Sequence, residues 1–227
     1  MKTGDFVEVD YVGRMKDTGE IFDLTKEDVA KKENVYNPKV SYKSVVLIVG
    51  AGFIIKGLDE ALQEMKVGEK KKIEIPPEKA FGGRQEELVK LVPLSKFKEQ
   101  EQKPSPGAVI SVGNMRGKIA SVDGGRVKID FNHPLAGKTL EYDIELKSLV
   151  EKQEDRIKAI VAYFTGLETV GVSFNGKEAE IEIKKDVDIV RAVKSMIAET
   201  AIKWCGVDKV KFVEIFEKQK YENQGEK

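Results

Sequence analysis

Val49-Gly50-Ala51-Gly52-Phe53-Ile54-Ile55-Lys56-Gly57-Leu58-Asp59-Glu60-Ala61-Leu62 is the stretch on which the fold of this chain turns. Gly50 and Gly52 could open a dinucleotide fingerprint, G-x-G-x-x-G, but its third glycine would fall at position 55, which is Ile55. No acidic ribose ligand follows a second parallel strand, and no alternating βαβ pattern surrounds the stretch. The two glycines instead predict a tight turn with backbone in unusual dihedrals. A short helix follows it. Ile54, Leu58, Ala61, Leu62 and Met65 recur at helical spacing, and Gly68 stops the pattern.

Composition sets the bounds around this turn. The chain has 227 residues, enough for one large or two to three small domains. A hydrophobic content of 41% supports real cores and argues against wholesale disorder. Charged residues make up 34%, balanced at 39 basic and 39 acidic, so nucleic acid, an anionic membrane or an acidic substrate is not expected as a partner. A single cysteine, Cys205, excludes an internal disulfide and suits a reducing cytosol, so a cytoplasmic location is expected. It reads as a buried structural thiol. Met1 to Asp10 carries three acidic residues and no apolar run, unlike a signal peptide. Nowhere do about 20 apolar residues run together as a membrane span requires.

Along the chain, Phe6, Val7, Val9, Tyr11 and Val12 lead into a turn at Asp17-Thr18-Gly19, which reads as an antiparallel strand and turn. Residues 26–40 are mostly polar and read as a surface excursion with a helical turn. Val45 to Val49 is a short buried strand, and Lys70 to Ile75 alternates lysine with isoleucine. After Gly82-Gly83 come a charge-rich start, a Pro104-Ser105-Pro106-Gly107 break and short β-like runs. Val122-Asp123-Gly124-Gly125-Arg126-Val127 is a strong hairpin signal there. Lys138 to Leu149 returns to alternation, with Leu140, Tyr142, Ile144 and Leu146 on one face. Past a polar boundary at Val150 to Asp155, the pattern runs α-β-β-α-β, with a hairpin at Asn175-Gly176 and a last strand from Val210 to Phe216. No internal repeat is present.

The chain has no nucleophile beside a base and no phosphate-cradling loop. His133, the only histidine, stands in Asn132-His133-Pro134-Leu135-Ala136-Gly137 without partners at metal-ligand spacing, so neither a metal nor a cofactor is expected.

Five scraps of sequence fall in one order: Tyr11-Val12-Gly13, Phe22-Asp23, the opening stretch, Met65-x-Val67-Gly68-Glu69-Lys70 and Pro76-Pro77-Glu78-x-Ala80-Phe81-Gly82. Together they resemble FKBP-type peptidyl-prolyl cis-trans isomerases, most closely the long archaeal forms related to SlyD. An empty acid–base inventory fits that activity, because prolyl rotation breaks no covalent bond. The resemblance implies a pocket of Tyr11, Phe22, Asp23, Val45, Ile54, Ile55, Leu58, Phe81 and Tyr142. In it Asp23 orients the substrate carbonyl and the backbone of Ile54 and Ile55 bonds the substrate chain. On the residues alone, Tyr11, Phe22, Ile54, Leu58 and Tyr142 are core candidates. Two positions depart from many family members: Leu58 stands where tryptophan floors the pocket, and Phe81 where a tyrosine is common. The metal-binding tail of SlyD proteins has no counterpart, since this chain ends in Glu, Lys and Gln.

The fold expected is α+β: an FKBP-like antiparallel sheet around a short helix, an inserted small β-rich flap domain and a C-terminal α+β domain. The expected boundaries are 1–83 with 131–150 for a discontinuous isomerase domain, 84–130 for the flap and 151–227 for the third domain. In SlyD-like proteins the insert resembles a chaperone flap. Here Leu91, Val92, Leu94, Phe97, Val109, Ile110 and Met115, with Leu88, either form its core or bind clients. The last strand is apolar on both faces, with Val210, Phe212 and Phe216 against Val213 and Ile215. One face therefore needs a cover, and a homodimer through this region is the hypothesis. The expected activity is prolyl isomerisation of unfolded or nascent polypeptides with chaperone assistance from the flap. The alternative is a holdase that keeps the fold without catalysis.

Overall fold

The computed structural model describes residues 1–98, 103–113, 115–184 and 188–215. Strand β1 (Phe6–Met15) is followed by β2 (Ile21–Leu24), a short helix α1 (Glu27–Lys32), β3 (Val45–Ile48), helix α2 (Lys56–Glu64) and β4 (Lys70–Ile75). Strands β5 (Val89–Pro93), β6 (Val109–Val112), β7 (Met115–Asp123) and β8 (Arg126–Asp130), with α3 (Leu94–Lys98) after β5, precede β9 (Leu140–Leu149). Helix α4 (Gln153–Thr165), β10 (Gly171–Asn175), β11 (Glu178–Lys184), α5 (Arg191–Cys205) and β12 (Lys209–Ile215) complete the described chain.

The first sheet is antiparallel, in the order β2-β1-β9-β4, with β3 also paired to β1. The outer edge of β1 is shared: β3 takes Phe6 to Val9 and β2 takes Val12 to Arg14, with a bulge at Gly13/Arg14. Alternation along β1 and β9 decides the core. Val7, Val9, Leu140, Tyr142, Ile144 and Leu146 turn toward α2 and meet its Leu58 and Leu62. Close packing of that helix depends on Gly57, where a β carbon would come within 2.4 Å of Ile75 Cγ2. The turn before α2 has Gly50 and Gly52 at φ 74° and 75°, the left-handed backbone expected of that pair. The Asp59 carboxylate accepts from the Gly50 amide at 2.8 Å and ties the turn to the helix it starts.

Between β4 and β9 stands a separate four-stranded antiparallel sheet in the order β5-β8-β7-β6. Gly124 and Gly125, both at positive φ, make the tight turn that the hairpin signal predicts. Its core is small, built on Phe97, Ile119, Val127 and Ile129. The two chains that lead into and out of it are clamped to each other. The Arg84 guanidinium lies 2.6 Å from the Asp130 carboxylate, and the Asn132 amide group bonds both Gln85 and Asp130.

The C-terminal elements follow the α-β-β-α-β order, with β10-β11 antiparallel and β11-β12 parallel. Phe216, placed on the last strand in the sequence analysis, lies outside the described residues. Val210 and Phe212 join Ile181, Ala179 and both helices in one core. The other face of this sheet is less apolar than β12 alone suggests. Cross-strand pairing sets Val213 opposite Glu182, and Lys211 opposite Glu180. That face is therefore wet without a partner chain. The same core takes in Phe6 and Ile48 from the first sheet, side chains that alternate away from α2. Among the described residues, no helix is long and apolar enough to cross a membrane.

Candidate active site

The first sheet, the turn before α2 and the residues around Phe81 enclose a cleft of about 700 Å3. Eight of the nine side chains expected to meet at a pocket line it together: Tyr11, Asp23, Val45, Ile54, Ile55, Leu58, Phe81 and Tyr142. Leu58, on the first turn of α2, and Tyr142, in the middle of β9, are nearly closed off at 4% and 5% exposure and form the floor. Phe22 is not a lining residue. Its ring meets Tyr142 edge-on at 5.7 Å and supports the floor from behind. The space for this pair exists because position 13 is glycine, where a β carbon would lie 2.8 Å from the Phe22 ring and 3.0 Å from Tyr142.

The polar equipment is sparse. The Tyr11 hydroxyl donates to Asp23 Oδ2 at 2.7 Å and fixes a carboxylate that is otherwise exposed at the cleft mouth. Burial pushes the Tyr11 hydroxyl far above the ordinary phenol range, and the neighbouring Asp23 charge pushes it further. Burial and Asp23 act in the same direction on Tyr142. Both phenols are therefore fixed as neutral donors. The Tyr142 hydroxyl has no hydrogen-bond partner among the described residues, nor do the amides of Ile54 and Ile55. These three donors border the cleft.

Phe81 is held by a residue that the sequence offered only as part of a connector. His133 stacks on it face to face, with centroids 4.1 Å apart and planes 3° from parallel. The His133 Nδ1 accepts from the Leu135 amide at 3.1 Å, which orients the ring. Position alone, at the return from the insert, was the signal for it. Phe53 and the α4 residues Ala159, Ala162 and Tyr163 also line the cleft, and nothing in their sequence pattern distinguishes them from ordinary packing positions.

Of the insert residues offered as client contacts, Leu91, Val109 and Met115 are exposed at 61%, 62% and 50%. Phe97 is 7% exposed and belongs to the insert core, with Val92, Leu94 and Ile110 packed against it. A domain this small needs those four for itself. Val112, at 46% exposed, joins the accessible group instead. Cys205 is buried, which pushes its thiol up to about 11 and leaves it inert at neutral pH. Among the described residues no three of His, Cys, Asp and Glu gather as metal donors.

Comparison with known proteins adds to this geometry. A family model described as "FKBP26, IF domain" matches residues 90–135. The chain is 38% identical over 149 residues to the short-type peptidyl-prolyl cis-trans isomerase of Methanocaldococcus jannaschii, covering 66% of this chain and 94% of that protein. It is 37% identical over 103 residues to a probable FKBP-type 16 kDa peptidyl-prolyl cis-trans isomerase of Pseudomonas fluorescens, covering 43% of this chain and 67% of that protein. It is also 31% identical over 165 residues to the FKBP-type isomerase SlyD of Treponema pallidum, covering 68% and 81%.

Proposed function

The chain belongs to the FKBP-type peptidyl-prolyl cis-trans isomerases and is an enzyme of that class; on that premise we propose that it speeds X-Pro rotation in folding proteins by desolvation in the Tyr11–Tyr142 cleft. Conjugation makes the peptide bond planar, with a barrier of about 20 kcal/mol and uncatalysed times of tens of seconds. At the twisted transition state conjugation is lost and the amide is less polar. A floor of Leu58, Tyr142 and Ile55 strips the water that favours the planar form. The unpaired amides of Ile54 and Ile55 and the Tyr142 hydroxyl hold the substrate backbone, and Asp23, fixed by Tyr11, orients its carbonyl. Only binding that is stronger in the twisted state counts, and a thousandfold acceleration needs about 4 kcal/mol of it. The observation that carries this reading is an apolar floor beside the Asp23 carboxylate, which the Tyr11 hydroxyl fixes at 2.7 Å.

Residues 1–83 with 131–150 form the isomerase unit in this reading. Residues 84–130 form a flap that holds unfolded segments on Leu91, Val109, Val112 and Met115, all exposed. Residues 151–227 form the third unit, which is also the site of homodimerisation. Met196 and Ile202, exposed on α5, and Val190 just before it are candidate contacts there. Light scattering that found monomer alone would remove the dimer. The protein acts on unfolded or nascent chains, and its one buried thiol suits the reducing cytoplasm.

The test is refolding of a reporter limited by a trans-to-cis prolyl step, with this protein at catalytic amounts. Acceleration that is lost when Leu91, Val109 and Met115 are all changed to Ser, while a short prolyl peptide is still turned over, supports a chaperone-assisted isomerase. Refolding slowed at stoichiometric amounts, with no peptide turnover, supports a holdase instead.

A further inference from the structure

The cleft is larger than a prolyl ring needs. Its volume of about 700 Å3 has room for several residues of a polypeptide, and its far side is not built by the isomerase sheet. That side is the face of α4 carrying Ala159, Ala162 and Tyr163, continued by Gly166 and Glu168.

This wall is fixed to the site at two places. The Tyr163 ring stacks on Phe53 at 4.9 Å and its hydroxyl donates to the Phe53 carbonyl at 3.2 Å. Phe53 immediately precedes Ile54 and Ile55, so α4 is registered against the amides that border the proline site. Lower down, Lys43 lies 2.5 Å from Glu168, and the Ser41 hydroxyl donates to the same carboxylate at 3.5 Å. These residues precede Val45, which also lines the cleft. Lys43 and Glu168 neutralise each other, so the surface between the two anchors is uncharged. It consists of two small side chains beside an aromatic ring, which leaves space for a large side chain and offers it only apolar contact.

We propose that α4 is the second wall of the isomerase cleft and forms a subsite for apolar residues flanking the X-Pro bond of a polypeptide substrate. The inference rests on the isomerase reading and adds substrate preference to it. The occupant is the substrate itself, because the subsite is continuous with the cleft where the prolyl bond rotates. An extended chain advances about 3.3 Å per residue, so neighbours of the proline necessarily run along the cleft wall. Specificity for apolar sequences then resides partly in the C-terminal unit.

The experiment compares kcat/KM of the full protein on a short prolyl peptide with that on the same peptide lengthened by Leu and Phe, at either end in turn. A control peptide is lengthened by Gly and Ser. The apolar extension is expected to raise kcat/KM about tenfold through KM at one of the two ends, in the range that one apolar contact supplies. The Gly-Ser extension is expected to give no gain. Tyr163→Ala and Ala162→Glu should each collapse the ratio of extended to short toward one, while Tyr163→Phe, which keeps the ring, should retain it. Because Tyr163 is 49% exposed, Tyr163→Ala remains informative even if Ala162→Glu fails to fold. Equal turnover of all these peptides by the unaltered protein, or a ratio unmoved by Tyr163→Ala, overturns the subsite. Absence of turnover on every peptide would defeat the isomerase reading itself, which is a different result from turnover without preference.

Discussion

Replacing Tyr11 by Phe isolates the polar contact that orients Asp23 at the cleft mouth. The ring stays, and with it the tilted packing on Tyr142 at 5.8 Å, so the fold loses little. The 2.7 Å bond from the hydroxyl to Asp23 is lost. A hydrogen bond to a charged group contributes about 1.5–3 kcal/mol, and the exposure of Asp23 places this one at the lower end. At about 1.4 kcal/mol per factor of ten, kcat/KM should fall about tenfold. The loss should fall on kcat rather than KM, because in the proposed mechanism Asp23 acts on the carbonyl as the amide twists. Asp23→Asn should cost at least as much. The two changes act on one device, so the double variant should be no slower than Asp23→Asn alone. The assay is exchange of a short prolyl peptide followed by NMR, with melting temperature measured alongside. Additive losses, or a Tyr11→Phe protein as fast as the parent, would refute the idea that Tyr11 works through Asp23.

Three further outcomes follow from the same geometry. Tyr11 and Tyr142 both ionise above their ordinary value of about 10, so folding holds their protons where the unfolded chain releases them. Their contribution is complete below about pH 10 and declines above it, so the urea midpoint should drop between about pH 10 and 12, and drop less in a Tyr11→Phe, Tyr142→Phe double variant. Gly13→Ala would drive a β carbon to 2.8 Å from Phe22 and 3.0 Å from Tyr142, costing about 1–3 kcal/mol in urea unfolding and slowing peptide turnover by displacing the floor. Phe81→Tyr adds a hydroxyl at the cleft wall and should tighten proline-mimicking ligands severalfold by calorimetry, since one such bond contributes about 1 kcal/mol. Unchanged affinity would show that this edge of Phe81 faces away from the site.

The first sheet was legible because its signals are local. Alternation in Lys138 to Leu149 gives the buried face of β9 directly, and the glycines at 50 and 52 mark a turn that only positive φ closes. The β7–β8 hairpin was legible from Gly124-Gly125, but the sorting of the apolar residues around it was not. Leu91 and Val92 are neighbours in a strand, and only the partner strand decides which of them faces the core. The last strand misled for the same reason: its second apolar face looked in need of cover until the glutamates of β11 were seen beside it. His133 and the α4 wall were hidden most completely. Each acts through a partner distant in the chain, His133 through Phe81 and Tyr163 through Phe53, and no periodicity records such a pairing.

That hidden pairing changes how the C-terminal unit should be understood. On β1, Phe6 faces one way and Val7 and Val9 the other, and all three are at most 1% exposed. The start of the strand is therefore buried on both sides, by α2 from within and, at Phe6, by the core of α4 and α5 from without. Ile48 repeats the pattern on β3. Burying such a side chain contributes about 1.5–3 kcal/mol, so the two strands that carry Tyr11 and Val45 draw part of their rigidity from residues beyond 150. A cleft that works by fixed geometry and exclusion of water, without covalent steps, depends on that rigidity more directly than one that works by a reactive group. The C-terminal unit is thus part of the support of the site, and its helix α4 lies where a substrate longer than the prolyl bond itself would meet it.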